Sequence, residues 1–142
     1  MMKPMFTTTV SSVGGRNGKI VSSDGRLEHD IAMPGTAKAK EKPEATNPEQ
    51  LFAAGYAACF GSALEMTANQ QKIDLDSEVI AHVSMYKDEK DNGFKLGVKL
   101  EVIGTGITQT TLDNLVEKAH HVCPYSKATT GNVEVELITS VK

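Results

Sequence analysis

Between Phe94 and Val102 every second residue is apolar: Phe94, Leu96, Val98, Leu100 and Val102 alternate with Lys95, Gly97, Lys99 and Glu101. That period of two predicts a half-buried strand. Upstream, Val79, Ala81, Val83 and Met85 keep the same spacing, and the charged stretch Lys87 to Gly93 reads as the turn of an antiparallel pair. Downstream the period changes. Leu112, Leu115, Val116 and Ala119 recur at i, i+3, i+4 and i+7 behind a Thr108 or Thr110 cap, which predicts a surface helix with one buried stripe. Pro124 ends or bends it, and after the turn residues Thr129 to Asn132 the alternation of Val133, Val135 and Leu137 predicts a last strand. Near the start, the Thr, Val and Ser run from Phe6 to Val13, the turn Gly14-Gly15-Arg16-Asn17-Gly18 and Lys19-Ile20-Val21 read as a hairpin. Asp24-Gly25 turns again, toward a third strand at Leu27 to Ile31. Pro34 to Ala45 has no clean period and reads as a solvated loop, with the makings of a mobile lid.

One segment departs from both amphipathic patterns. Asn47-Pro48-Glu49-Gln50 is a helix start, with Asn47 as N-cap, Pro48 at the first helical position and Gln50 completing a capping-box variant. From Leu51 to Ala63 there is then no charged side chain on any face, which predicts a helix enclosed by other structure through about Met66 and fading near Gln70. Gly55 and Gly61 each cost roughly 0.5–1 kcal/mol of helix propensity, for which close packing is the expected return. Strands on both sides of an apolar helix make an α+β architecture, with sheets wrapping helices.

At 142 residues one domain spanning 1–142 is expected. The 15 basic and 18 acidic side chains leave a charge of −3, without the basic excess of a nucleic-acid or anionic-membrane binder. No apolar run reaches the roughly 18 residues of a membrane span, and the start does not read as a signal peptide, so a cytoplasmic protein is expected. Two cysteines in such a reducing compartment leave catalysis, redox sensing or plain burial as their roles. Cys59 lies in the middle of the apolar helix. Cys123 precedes Pro124, at the N-cap of a short helix through about Ala128, a position that lowers a thiol pKa. His120, His121 and Cys123 do not have the spacing of a zinc site, and His29 and His82 read as strand residues rather than ligands.

The segment from Asn47 to Phe60, together with Ala119-His120-His121-Val122-Cys123-Pro124-Tyr125-Ser126-Lys127-Ala128-Thr129 and Gly14-Gly15-Arg16, resembles the organic hydroperoxide resistance branch of the OsmC/Ohr superfamily. The matching motifs span nearly the whole chain. The resemblance implies an α+β fold in which antiparallel sheets wrap central helices in an intertwined homodimer. It implies a thiol-dependent peroxidase for organic hydroperoxides, recycled by a dithiol, either dihydrolipoamide or a lipoylated protein, with no bound cofactor, metal or flavin. It casts Cys59 as the peroxidatic cysteine, Cys123 as its resolving partner, and Arg16 and Glu49 as the pair that organises the site.

The chemistry agrees with that casting. A thiolate attacking a peroxide oxygen needs positive charge beside it, which a guanidinium supplies, and a carboxylate can hold the guanidinium bidentately. Read locally, the apolar helix raises the pKa of Cys59 unless Arg16 is close. Glu49 and Cys59 are ten residues apart, so along one straight helix they lie ~15 Å apart and about 80° round the axis. A site using both therefore calls for two antiparallel copies of the helix in a two-fold dimer. Phe52, Tyr56, Phe60 and Met66 lie along the same helix and either line an apolar substrate pocket or pack the core. Two other readings stand beside this one: the general peroxidases of the OsmC branch, and a non-catalytic thiol sensor.

Overall fold

The computed structural model describes residues 2–142. They fall into two compact units, one ending at Leu51 and the other running from Phe52 to Lys142.

In the first unit, strands β1 (Val10–Val13), β2 (Lys19–Ser22) and β3 (Glu28–Asp30) form an antiparallel sheet in that order. The strand expected from Phe6 begins only at Val10, because β2 offers it four partners, Val10 opposite Ser22 through Val13 opposite Lys19. At the tip of the β1–β2 hairpin, Gly15–Asn17 makes one 3-10 turn carrying Arg16. Glycine is required beside it: Gly14 has φ +85°, and a Cβ on Gly18 would sit 1.6 Å from the Val13 carbonyl oxygen.

The stretch expected to be loop between Pro34 and Ala45 instead contains helix α1 (Ala37–Glu41), whose first turn is capped by Thr36 Oγ1 accepting from Ala39 N–H. Alternating Ala and Lys are good helix formers. Five residues are too few to display a helical period, which is why no pattern marked this helix. Its Lys38 donates to the Asn17 carbonyl in the Arg16 turn, and Lys42 pairs with Asp30 at 3.2 Å.

Helix α2 (Pro48–Gln70) opens as expected, with Asn47 Oδ1 accepting from Gln50 N–H at 2.8 Å. The reciprocal half of the capping box is absent, because the Gln50 side chain accepts from the Thr46 hydroxyl instead.

The second unit contains most of α2, β4 (Asp76–Asp88), β5 (Gly93–Thr105), α3 (Gln109–Val122), α4 (Pro124–Thr129) and β6 (Glu134–Val141). β4 and β5 pair antiparallel over their full length, from Asp76 opposite Thr105 to Asp88 opposite Gly93. β6 joins β5 parallel, so this sheet is mixed rather than antiparallel. The reason is the connection: β5 is followed by a crossover through α3 and α4, which brings the chain back to run in the direction of β5. Leu100, Val102 and Val98 of β5, Leu112, Leu115, Val116 and Ala119 of α3, and Tyr56, Phe60 and Leu64 of α2 close a single core.

Only one face of α2 is enclosed. Ala54, Ala58, Ser62, Glu65 and Met66 form a stripe at helical spacing that is exposed within the single chain, where the lack of charge predicted a surrounded helix. Lack of charge did not distinguish the two faces, because the open one is built from small residues. No described helix is long and apolar enough to cross a membrane.

Leu100 is fully buried and its neighbour Lys99 faces solvent. Leu100→Ala is expected to lose about 2–5 kcal/mol of stability in urea unfolding. Lys99→Ala is expected to stay within about 0.5 kcal/mol of the parent.

Candidate functional site

Two constellations gather the residues singled out from the sequence, one in each unit. In the first, the Arg16 turn and the first turn of α2 are joined by a bidentate ion pair: Arg16 Nη1 donates to Glu49 Oε2 at 2.9 Å and Nη2 to Oε1 at 2.7 Å. Such fork-to-fork geometry fixes orientation as well as distance. The guanidinium holds the Glu49 carboxyl below its usual range, and the same bonds raise the pKa of Arg16. Arg16 remains 39% exposed at its side chain while Glu49 is 16% exposed, so the carboxylate is the buried anchor and the cation keeps an open side.

In the second unit, α2 presents Cys59 to the junction of α3 and α4. Cys123 is the C-cap of α3, its N–H bonded to the Ala119 carbonyl, and also the N-cap of α4, its carbonyl accepting from Lys127 N–H. Pro124 at the first position of α4 makes the bend expected of it. The Cys123 thiol donates to Cys59 Sγ at 3.7 Å, and both cysteines are free thiols. Cys123 is fully buried and Cys59 partly accessible. An S–S bond of ~2.05 Å needs only a local approach from that distance.

Burial is the largest influence on Cys59 and pushes its pKa up, the Tyr125 backbone N–H pulls it down, and the Cys123 thiol pushes it up again. Sequence alone suggested that the start of α4 would act on Cys123. Pro124 has no N–H, and the next one, Tyr125's, acts on the Cys59 thiol.

The four residues considered for an apolar pocket separate. Tyr56 and Phe60 are fully buried in the core, and Met66 is 48% exposed two turns beyond Cys59. Phe52 packs edge-on against Tyr56 at 6.1 Å and Tyr125 at 6.0 Å, so it alone adjoins the cysteine-bearing turn while remaining partly accessible. Tyr125, not anticipated, completes this aromatic group 5.6 Å from Tyr56. Gly55 was its signal: a Cβ there would lie 2.3 Å from Tyr125 Oη. The buried hydroxyls of Ser126 and Thr129, bonded to Tyr56 Oη at 2.8 and 3.2 Å, were missed too, since single Ser and Thr residues carry no pattern.

This arrangement of paired thiols can be set beside known proteins. The OsmC-like protein family matches residues 39–138. Organic hydroperoxide resistance protein OhrA of Bacillus subtilis is 60% identical over 96% of this chain and 97% of its own length. The chain belongs to the organic hydroperoxide resistance branch of the OsmC/Ohr family. The crystal structure of Bacillus subtilis OhrB superposes with a TM-score of 0.92 at 52% identity, covering 96% of this chain and all of that one. An organic hydroperoxide resistance protein from Elizabethkingia anophelis gives 0.88 at 41% identity, covering 99% of this chain and all of that one. The fold is thus that of the OsmC/Ohr family, α+β with two three-stranded sheets and four helices among the described residues.

The ion pair has a pH signature. A carboxylate whose folded pKa is depressed contributes stability that is fully present above its unfolded pKa, about 4.3 for Glu, and is lost as pH falls through the folded value. Glu49→Gln is therefore expected to lower the Tm by a constant amount from neutral pH down to about 4.3, with the difference from the parent shrinking below that. Thermal melts of both proteins across the acid range check it.

Proposed function

We propose that this protein is a cysteine-based peroxidase that reduces organic hydroperoxides to alcohols. The observation that carries the proposal is the hydrogen-bonded thiol pair, with Cys123 Sγ 3.7 Å from Cys59 Sγ, in a chain whose relatives are named organic hydroperoxide resistance proteins.

Cys59, the more accessible of the two, is the nucleophile. Its thiolate attacks one peroxide oxygen, the O–O bond breaks, and the products are a Cys59 sulfenic acid and an alkoxide that takes a proton to become the alcohol. The Cys123 sulfur then attacks the sulfenic sulfur, the hydroxyl leaves as water, and a Cys59–Cys123 disulfide remains. An external dithiol restores both thiols through a mixed disulfide and becomes a disulfide itself. A lipoyl-type dithiol, free or carried on a protein in the cytoplasm, is the proposed donor, and the cycle needs no metal or flavin.

Burial pushes the Cys59 pKa up, and a nearby cation would favour its thiolate. Arg16, oriented by Glu49, is proposed for that role, stabilising both the thiolate and the departing alkoxide. The ten-residue spacing of Glu49 and Cys59 on α2 favours supplying the ion pair from a second copy of the chain, in a homodimer. The exposed small-residue stripe of α2 supports it, since it borders an open groove of about 630 Å³ lined by Ala54, Ala57, Ala58 and Gly61. Phe52 and Tyr125 give alkyl hydroperoxides an apolar contact from which hydrogen peroxide gains nothing.

Stopped-flow assays test the cycle. The expected result is steady turnover with dihydrolipoamide and little with thioredoxin, with kcat/KM for an alkyl hydroperoxide at least about tenfold above that for hydrogen peroxide. Cys59→Ser should abolish turnover, and Cys123→Ser should stop at a dimedone-reactive sulfenic acid. Sulfenic acid trapped on Cys123 in the Cys59→Ser variant, or one oxidation without turnover, would overturn the reading. Mixing Cys59→Ser with Glu49→Ala subunits tests the shared site: each heterodimer is expected to hold one intact and one doubly impaired site, so activity rises above that of either variant alone.

A further inference from the structure

Cys123 and Cys59 meet where α4 is docked on α2 and α3, and one buried side chain bonds to both of those helices. Ser126, fully buried, lies one turn beyond Cys123. Its Oγ is 2.8 Å from Tyr56 Oη on α2 and 2.8 Å from His120 Nδ1 on α3. Tyr56 Oη also lies 3.2 Å from Thr129 Oγ1, which donates to the Ser126 carbonyl at 3.1 Å.

Proton counting orders the chain. With the Thr129 proton on the Ser126 carbonyl, Thr129 Oγ1 is free to accept from the Tyr56 hydroxyl. Tyr56 Oη in turn accepts from the Ser126 hydroxyl, and Ser126 Oγ accepts from His120 Nδ1–H. Each buried hydroxyl then donates once and accepts once, and no buried side-chain polar atom among the described residues is left without a partner. In this arrangement His120 is the Nδ1–H donor to Ser126 Oγ. Its burial, and the neighbouring His121, both lower its pKa.

We propose that His120 and Tyr56 are positioning residues: acting through Ser126, they hold the Cys123 turn so that its sulfur stays within reach of Cys59. The inference deepens the peroxidase reading by naming what makes the second thiol effective as a resolving group. A thiol held in place has a high effective concentration toward its partner, and one on a loosened turn does not.

The effective concentration is read without peroxide by equilibrating the protein with glutathione buffers of known ratio and measuring the fraction of intramolecular disulfide. Ser126→Ala removes the shared partner, and His120→Leu removes the donor. His120→Asn keeps an N–H donor at the δ position. The first two are expected to lower the effective concentration about three- to tenfold, a tenfold fall being about 30 mV for this two-electron couple. His120→Asn is expected to stay within about twofold of the parent, a rescue that volume-filling alone would not produce. Values for Ser126→Ala and His120→Leu within twofold of the parent would overturn the proposal, as would His120→Asn falling as far as His120→Leu. Should Ser126→Ala fail to fold, the two His120 variants decide it alone. A protein without peroxide turnover whose disulfide equilibrium shifts as described would refute the peroxidase reading and leave the positioning role standing.

Discussion

The contact between the Tyr56 and Ser126 hydroxyls is the constraint on which the second unit depends. It joins α2 to α4 inside an otherwise apolar core, and a buried hydroxyl without a partner costs about 1–3 kcal/mol, which favours this docking of the two helices. That docking settles the rest locally. It lays Tyr125 over Gly55, brings Phe52 against both tyrosines, and sets Cys123 opposite Cys59, a residue 64 positions earlier in the chain. A side chain at position 55, or an apolar one at 126, would remove the fit from which the thiol pair follows.

The same burial that allows the two sulfurs to meet works against reactivity. An enclosed thiol resists ionisation, and the Tyr125 N–H offsets this only in part. The other unit carries the kind of group such a thiol needs, a guanidinium fixed by two hydrogen bonds to a carboxylate and still partly open to solvent. Its turn is held by glycines that no other residue replaces and by Lys38 from α1.

Much of this was legible in the chain. Period-two alternation located β4, β5 and β6, the i, i+3, i+4 pattern located α3, and the Asn47-Pro48 signal placed the start of α2 at Pro48. The turn at Gly14 to Gly18 and the bend at Pro124 were equally readable, because glycine and proline act through backbone geometry that needs no partner. What was not legible lacks a period or depends on a distant partner. Helix α1 is too short to repeat, the parallel placement of β6 is set by its crossover, and the open stripe of α2 has no charge to mark it between Leu51 and Ala63. Of the four aromatic and Met positions on α2, spacing alone could not say that two would be core, because Tyr56 and Phe60 are as apolar as residues that line pockets.

Residue order by itself determined most of the segments that become helix or strand, where helices α2 and α3 begin, and which side chains had the chemistry for a thiol reaction. Those are local properties, decided by neighbours within a turn or a pleat. Tertiary structure decided that Arg16 finds Glu49, that Cys123 donates to Cys59, and that the N–H at the start of α4 serves the thiol of another helix. Each of these joins groups 33 or more residues apart, a separation that local sequence signals do not specify and that packing within each unit sets. The apolar segment with a thiol in its middle was visible as a pattern; which of its faces would be closed, and what the thiol would meet there, was a property of the fold.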